Sequence, residues 1–300
     1  MTTLRILIGR NTKLFFKDKG LFLTALITPG ILLLLYATFL GNVYEQSFLS
    51  SLPVGMTVDG GFLDGYVAAQ LASSILAVSC VTVAFCSNML MATDKAKRTV
   101  TDLAVSPVRP SVLALSYYLA SLCSSLLICL SATALCMVYM AIMGWYMSVA
   151  ESALLVLDVM LLVWFGTALS SIVNFFVSTQ GGISAVGSLV SSCYGFLCGA
   201  YMPISQFSPG LQKVLSFLPG TYGTVLLRRH ALGGVMREME RIGLPPPVVD
   251  SFEVAMDCRI EFLGNPVSVG AMYGVLGGAV LLFVGIYVLL HVKWGKRALD

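Results

Sequence analysis

Asp158 is the one ionisable residue standing well inside a stretch of this sequence apolar enough to cross a membrane, so it poses the first chemical question. A charge at the centre of a membrane helix costs roughly 2.5–3.5 kcal/mol on insertion scales, and such a residue needs a reason. Two reasons fit. Asp158 is a contact for a substrate or cation, or it hydrogen-bonds neighbouring helices or reaches the outer interface, about two turns from the outer end of its helix. Little other chemistry is available. There is no G-x-x-x-x-G-K-S/T loop to cradle nucleotide phosphates. The two histidines, His230 and His291, belong to no H-E-x-x-H pair, and no G-x-S-x-G accompanies an Asp and a His. Of eight cysteines, seven (Cys80, Cys86, Cys123, Cys129, Cys136, Cys193, Cys198) fall in apolar blocks where Cys acts as a small hydrophobe; only Cys258 lies in a long loop. No CxxC spacing suggests a metal.

The elements that must hold these residues follow from composition. Apolar residues make up 57% and charged residues 11%, against about 25% charged in a soluble domain. The apolar residues come in blocks free of Asp, Glu, Lys and Arg: between Gly20 and Asn42, Gly65 and Thr93, Pro110 and Ala150, Val159 and Gln212, and Phe262 and Leu290. About 20 apolar residues cross a bilayer core as a helix. The fourth block is long enough for two crossings and contains a turn signal at Ser178-Thr179-Gln180-Gly181-Gly182. An all-α integral membrane protein follows, a single domain over residues 1–300. Its six spans are expected at about 21–42, 67–92, 112–143, 152–176, 183–203 and 267–290. Closed barrels would alternate in polarity, and these blocks do not.

Basic residues set the orientation. Arg5, Arg10, Lys13, Lys17 and Lys19 precede the first span, and its first apolar stretch is a full span rather than a cleavable signal. Lys95, Lys97, Arg98 and Arg109 lie in the loop after the second, and Lys293, Lys296 and Arg297 follow the last; the loops at 43–66 and 144–151 have none. Both termini are therefore expected in the cytoplasm. The loop over 205–266 carries six basic residues and falls outside, which its length of about 60 residues permits. Residues 1–20 read as an interfacial helix with Leu4, Leu7, Ile8, Leu14 and Phe15 on one face, or as simple orientation-setting charges.

The cytoplasmic loop at 93–111 suits a short helix over 94–105. Asp94 stands at its start, Ala96, Val100 and Leu103 form an apolar stripe, and Pro107 and Pro110 close it. Such a helix either presses on another protein or is a solvated connector. In the outer loop, an apolar run broken at Pro219-Gly220 suits a re-entrant hairpin, and residues 235–262 suit a small helical cap. Gly195-x-x-x-Gly199 and Gly270-x-x-x-Gly274-x-x-x-Gly278 allow close helix approach, within the chain or between two chains. Methionines such as Met89, Met91, Met137 and Met140 fill gaps or line a route for bulky apolar cargo.

Two segments together resemble the type-2 ABC exporter permeases. The 93–111 loop is similar to their coupling region: Asp94 in its acidic place, Arg98-Thr99 near R-G-T, Asp102-Leu103 near E-x-L, and Ser106-Pro107 matching directly, with the usual glycine missing. Gly199, Pro203, Pro219, Tyr222, Leu227, Arg228 and Gly233 match the small-Gly-hydrophobic-x-P, P-x-x-Y and L-R segments. The resemblance implies a permease subunit without its own ATPase site. Two copies of an ABC ATPase would carry ATP and Mg, and a second permease would complete a homodimer or heterodimer in the plasma or inner membrane. It also implies re-entrant helices before the last span, with Gly199, Pro203, Pro219, Tyr222 and Arg228 at an outer gate. Asp94, Arg98, Val100, Leu103, Ser106 and Pro107 would couple to the ATPase. The cargo expected is an amphipathic drug-, antibiotic- or lipid-like compound, as in multidrug efflux, with a lipid-linked polysaccharide as the alternative. An ion-coupled secondary transporter would need several buried charges, and a membrane enzyme lacks a constellation. Nothing points to nucleic acid.

Overall fold

A computed structural model of the chain describes residues 2–35, 41–51, 59–97, 108–262 and 264–297, with the single positions 38 and 99. The uncharged blocks become helices because a backbone without water must satisfy its own polar groups. In chain order these are α1 (Thr2–Lys17), α2 (Lys19–Leu35), α3 (Gly41–Ser51), α4 (Gly60–Ala96), α5 (Pro110–Met143), α6 (Val149–Phe176) and α7 (Gln180–Leu197). A 3₁₀ turn (Ile204–Gln206), α8 (Pro209–Leu215), α9 (Pro219–Arg241) and α10 (Pro246–Ala255) follow. A two-stranded antiparallel hairpin, β1 (Glu261–Phe262) and β2 (Asn265–Pro266), then leads into α11 (Val269–Arg297).

Helix ends follow local chemistry. Pro110, Pro209, Pro219 and Pro246 open α5, α8, α9 and α10, where a missing N–H costs nothing. Ser148 and Glu151 form a reciprocal capping box at the start of α6. Thr179 Oγ1 accepts the Gly182 amide at 3.1 Å, so the expected turn between two apolar helices is in place. Gly199 ends α7 with φ of +75°, the left-handed conformation that favours glycine, and Ala200 N–H returns to the Gly195 carbonyl at 2.8 Å.

Among the described residues, four helices are long and apolar enough to cross a membrane: α4, α5, α6 and α11 over Val269–Lys293. The other two expected spans are shorter. α2 has 17 residues with Pro29 inside it, and α7 has 18 and stops at Leu197 because the chain turns at Gly199. The core forms around α4, which is almost wholly enclosed and packs against α2, α5, α6, α7 and α9. By contrast α5 and α11 leave much of their apolar surface open, including Leu127, Leu135 and Ile142 on the first and Leu281 and Leu289 on the second. Such faces suit lipid or a second chain.

Several expectations change in detail. The Pro219-Gly220 break separates two helices, α8 and α9, and α9 runs unbroken for 23 residues against α4, α6 and α11. Residues 235–262 are no separate helical cap: 235–241 are the end of α9, Pro245-Pro246-Pro247 begins α10, and the hairpin adds the only described strands. The glycine spacings also differ in meaning. A Cβ at Gly195 would meet the Tyr201 ring at 2.3 Å, so that glycine is packed inside the chain. At Gly270, Gly274 and Gly278 a Cβ would meet nothing within 4 Å, so among the described residues nothing packs on this face. In α1, Leu7, Asn11 and Phe15 make the buried line, with Leu4, Ile8 and Leu14 half-buried beside it and the helix lying on α5.

Close packing at one glycine gives a direct test. A Cβ at Gly234 in α9 would stand 1.9 Å from the Tyr146 carbonyl oxygen, a backbone atom that cannot swing aside. Gly234→Ala is expected to cost at least about 1–3 kcal/mol, the usual range for overpacking, read as a lower thermal midpoint of the purified protein. Gly210→Ala, where a Cβ meets nothing, should leave it unchanged.

Candidate functional site

Among the described residues, Arg228 is the largest side chain wholly enclosed. A guanidinium has no neutral form to retreat to, so burial demands a counter-charge and acceptors for its N–H groups. Arg228 Nη1 donates to Asp257 Oδ2 at 3.0 Å, and Nη2 donates to the Gly199 carbonyl at 2.6 Å. Asp257 also accepts the amides of Ile204 and Ser205, the latter at 3.1 Å. Burial pushes the Asp257 carboxyl above its ordinary range, opposed by Arg228 and by those two amides. One ion pair thus ties α9 to the end of α7, to the 3₁₀ turn and to the residues after α10.

The expected outer-gate residues converge on or beside this knot. Gly199 supplies both the left-handed turn and the carbonyl, and a Cβ there would meet Ile204 Cγ1 at 2.6 Å. Pro203 caps the 3₁₀ turn, its carbonyl accepting from Gln206 N–H at 3.1 Å. Pro219 opens α9, and Tyr222, one turn on, donates to the Ser216 carbonyl at 2.7 Å, closing the α8–α9 turn. At the far end of α9, Arg237 makes a two-pronged pair with Glu151 of the α6 capping box, Nη2 to Oε2 at 2.6 Å. That carboxylate raises the Arg237 guanidinium further above its usual range. Cys258, enclosed beside the knot, is pushed up to about 12 by burial and stays a thiol.

Two residues after Arg228, α9 presents His230 to Asp158. Its Nδ1 lies 2.5 Å from Asp158 Oδ2, and the Tyr273 hydroxyl of α11 donates to Oδ1 at 2.5 Å. Asp158 is fully enclosed, and each of its oxygens is taken. Three helices, α6, α9 and α11, thus share one carboxylate. Sequence reasoning used His230 only to exclude a protease and did not find Tyr273 or Asp257. The available signal was scarcity, because an intramembrane carboxylate needs a donor and the chain has two histidines.

Asp94 belongs to the last turn of α4, not to the start of a separate helix. It is buried and accepts from Tyr117 Oη at 2.7 Å and from Arg10 Nη1 at 3.2 Å. The remaining expected coupling residues, Arg98, Val100, Leu103, Ser106 and Pro107, lie outside the described residues.

The profile of the ABC-2 type transporter family matches residues 2–230. The chain belongs to that family. No curated protein matches it. The matched stretch of this ABC-2 protein holds Asp94, Asp158, Gly199, Arg228 and His230, whereas Asp257 and Tyr273, which complete the two buried clusters, lie beyond it. As an ABC-2 permease it is a multi-pass membrane component of a transporter.

Proposed function

We propose that this ABC-2 permease forms the membrane path of an exporter, moving an amphipathic drug-, antibiotic- or lipid-like compound outward. Membership of the family over residues 2–230 carries the reading. Two copies of a separate ABC ATPase would bind ATP and Mg, and a second permease copy would complete the route. Closure of the ATPase pair would push on the loop at 93–111, and the outer gate around Gly199, Pro203, Pro219, Tyr222 and Arg228 would respond. Coupling of that kind requires the ATPases to contact the two states of the permease differently. Export of a lipid-linked polysaccharide is the alternative cargo reading.

Six crossings are part of this proposal. At 1.5 Å per residue the 17 residues of α2 and 18 of α7 reach roughly 26–27 Å, close to a hydrocarbon core of about 30 Å. With six, both termini and the 93–111 loop share the cytoplasmic side, and α8 with the start of α9 forms the re-entrant pair before α11. The basic residues Lys95, Lys97, Arg98 and Arg109 support that side for the loop. Impermeant thiol reagents applied to intact cells should label a single Cys introduced at the exposed positions Gly60 or Pro246 and spare one at Ala96. Labelling of position 96 from outside would overturn the orientation and, with it, the outward direction.

A further inference from the structure

The last two turns of α4, immediately before the 93–111 loop, are tied by polar side chains to α1, α5, α6 and α11. Asn88 donates to Ser170 and Ser171 of α6 at 3.1 and 2.7 Å and accepts from Ser121 of α5 at 3.2 Å. Met91 Sδ receives the Tyr287 hydroxyl of α11 at 3.1 Å. The final pair then divides. Asp94 faces α1 and α5, through Arg10 and Tyr117. Lys95, its neighbour, points the other way and donates to the Phe175 carbonyl, one of the last acceptors of α6, with its ammonium 4.4 Å from the centre of the Phe175 ring. A cation suits that helix end, where carbonyls lack partners and the dipole is negative. The Phe175 ring packs edge-on against His291 of α11 at 4.8 Å, and His291 against Tyr287 at 4.5 Å.

We propose that Asp94 and Lys95 are positioning residues forming a fork at the base of the coupling loop. Asp94 passes the loop's displacement to the α1–α5 half of the bundle, and Lys95 passes it to the α6–α11 half. Charge is concentrated here because the fork must hold in a region where apolar helices otherwise slide on interchangeable surfaces. An ion pair and a capped carbonyl fix register, as packing between Leu and Val side chains does not. Arg10 is about one-third exposed, so the Asp94 arm reaches the rim of the bundle, whereas the Lys95 arm ends in an aromatic stack. The inference rests on the permease reading above.

The test uses the permease with the ATPase that co-purifies with it, in lipid nanodiscs, with the eight native cysteines replaced. Nitroxide labels go at the exposed positions Ile6, on α1, and Ser178, just beyond α6, each paired with the exposed Val254 of α10, which belongs to neither half. Distances are compared without nucleotide and after trapping with ATP and vanadate. Asp94→Asn is expected to cut the change at the 6–254 pair by about threefold or more while sparing the 178–254 pair. Arg10→Ala, at a more exposed residue, should repeat that result without disturbing the interior. Lys95→Gln should do the reverse, and Lys95→Arg, which keeps the charge, should restore it. Equal loss at both pairs in every variant, or loss at neither, overturns the fork. No nucleotide-driven change in the parent protein would count against the permease reading itself.

Discussion

Arg228→Met is expected to be the most damaging single substitution where α7, α9 and α10 meet. Methionine fills much of the arginine's volume, so the effect reports charge rather than a cavity. It leaves the Asp257 carboxylate enclosed with two backbone amides for partners, and it strips the Gly199 carbonyl of its donor. Removing one partner of a buried ion pair costs about 3–5 kcal/mol. Four segments meet at this pair, so its loss should loosen the end of α7, the 3₁₀ turn, and α9 and α10 together. A thermal midpoint lower by about 10 °C is expected, at 2–4 °C per kcal/mol for a protein of this size class. Asp257→Leu combined with Arg228→Met should recover part of the loss, because no unpaired charge remains. A double variant as damaged as the worse single variant would mean that the pair acts through shape instead.

The second large effect is expected in the 93–111 loop. If that loop seats in a groove of the ATPase, Leu103→Asp places a charge in an apolar contact. An unpaired charge there costs several kcal/mol, enough to release or uncouple the partner. Thr101→Asp, off the apolar stripe, is the control. Membrane insertion should be normal for both, since neither residue falls in one of the charge-free apolar blocks of the sequence. ATPase recovered with the Leu103→Asp permease should fall sharply, and what remains should no longer drive transport. Recovery equal to that of Thr101→Asp, with transport intact, would make the loop a plain connector.

Much of this architecture is legible in the sequence for a simple reason. Blocks without charge can only be helices in lipid, and Ser148, Thr179 and the helix-opening prolines announce their ends through local hydrogen bonding. Local signals do not say which helices touch. The Asp158 cluster joins residues 72 and 115 positions away, and Arg228 meets Asp257 across 29, so neither partnership leaves a spacing to read. Asn11 interrupts the apolar face of α1 yet sits at its buried centre, where periodicity alone would place a hydrophobe. Asp94 was legible as a helix-end charge but not as the end of α4, because nothing before Lys97 breaks a 37-residue helix. The glycines of α11 show the converse limit: their spacing permits close approach, but only the assembled chain reveals that none of the described helices takes it.

The central claim is that this ABC-2 permease transports only when a separate P-loop subunit supplies ATP hydrolysis. The most direct measurement is ATP hydrolysis by the purified chain in lipid, alone and with the co-expressed ATPase subunit that binds it. Background hydrolysis is expected from the chain alone, with the P-loop subunit retained through purification and hydrolysis appearing only in the complex. Hydrolysis by this chain alone, persisting after every contaminating P-loop protein has been removed, would contradict it.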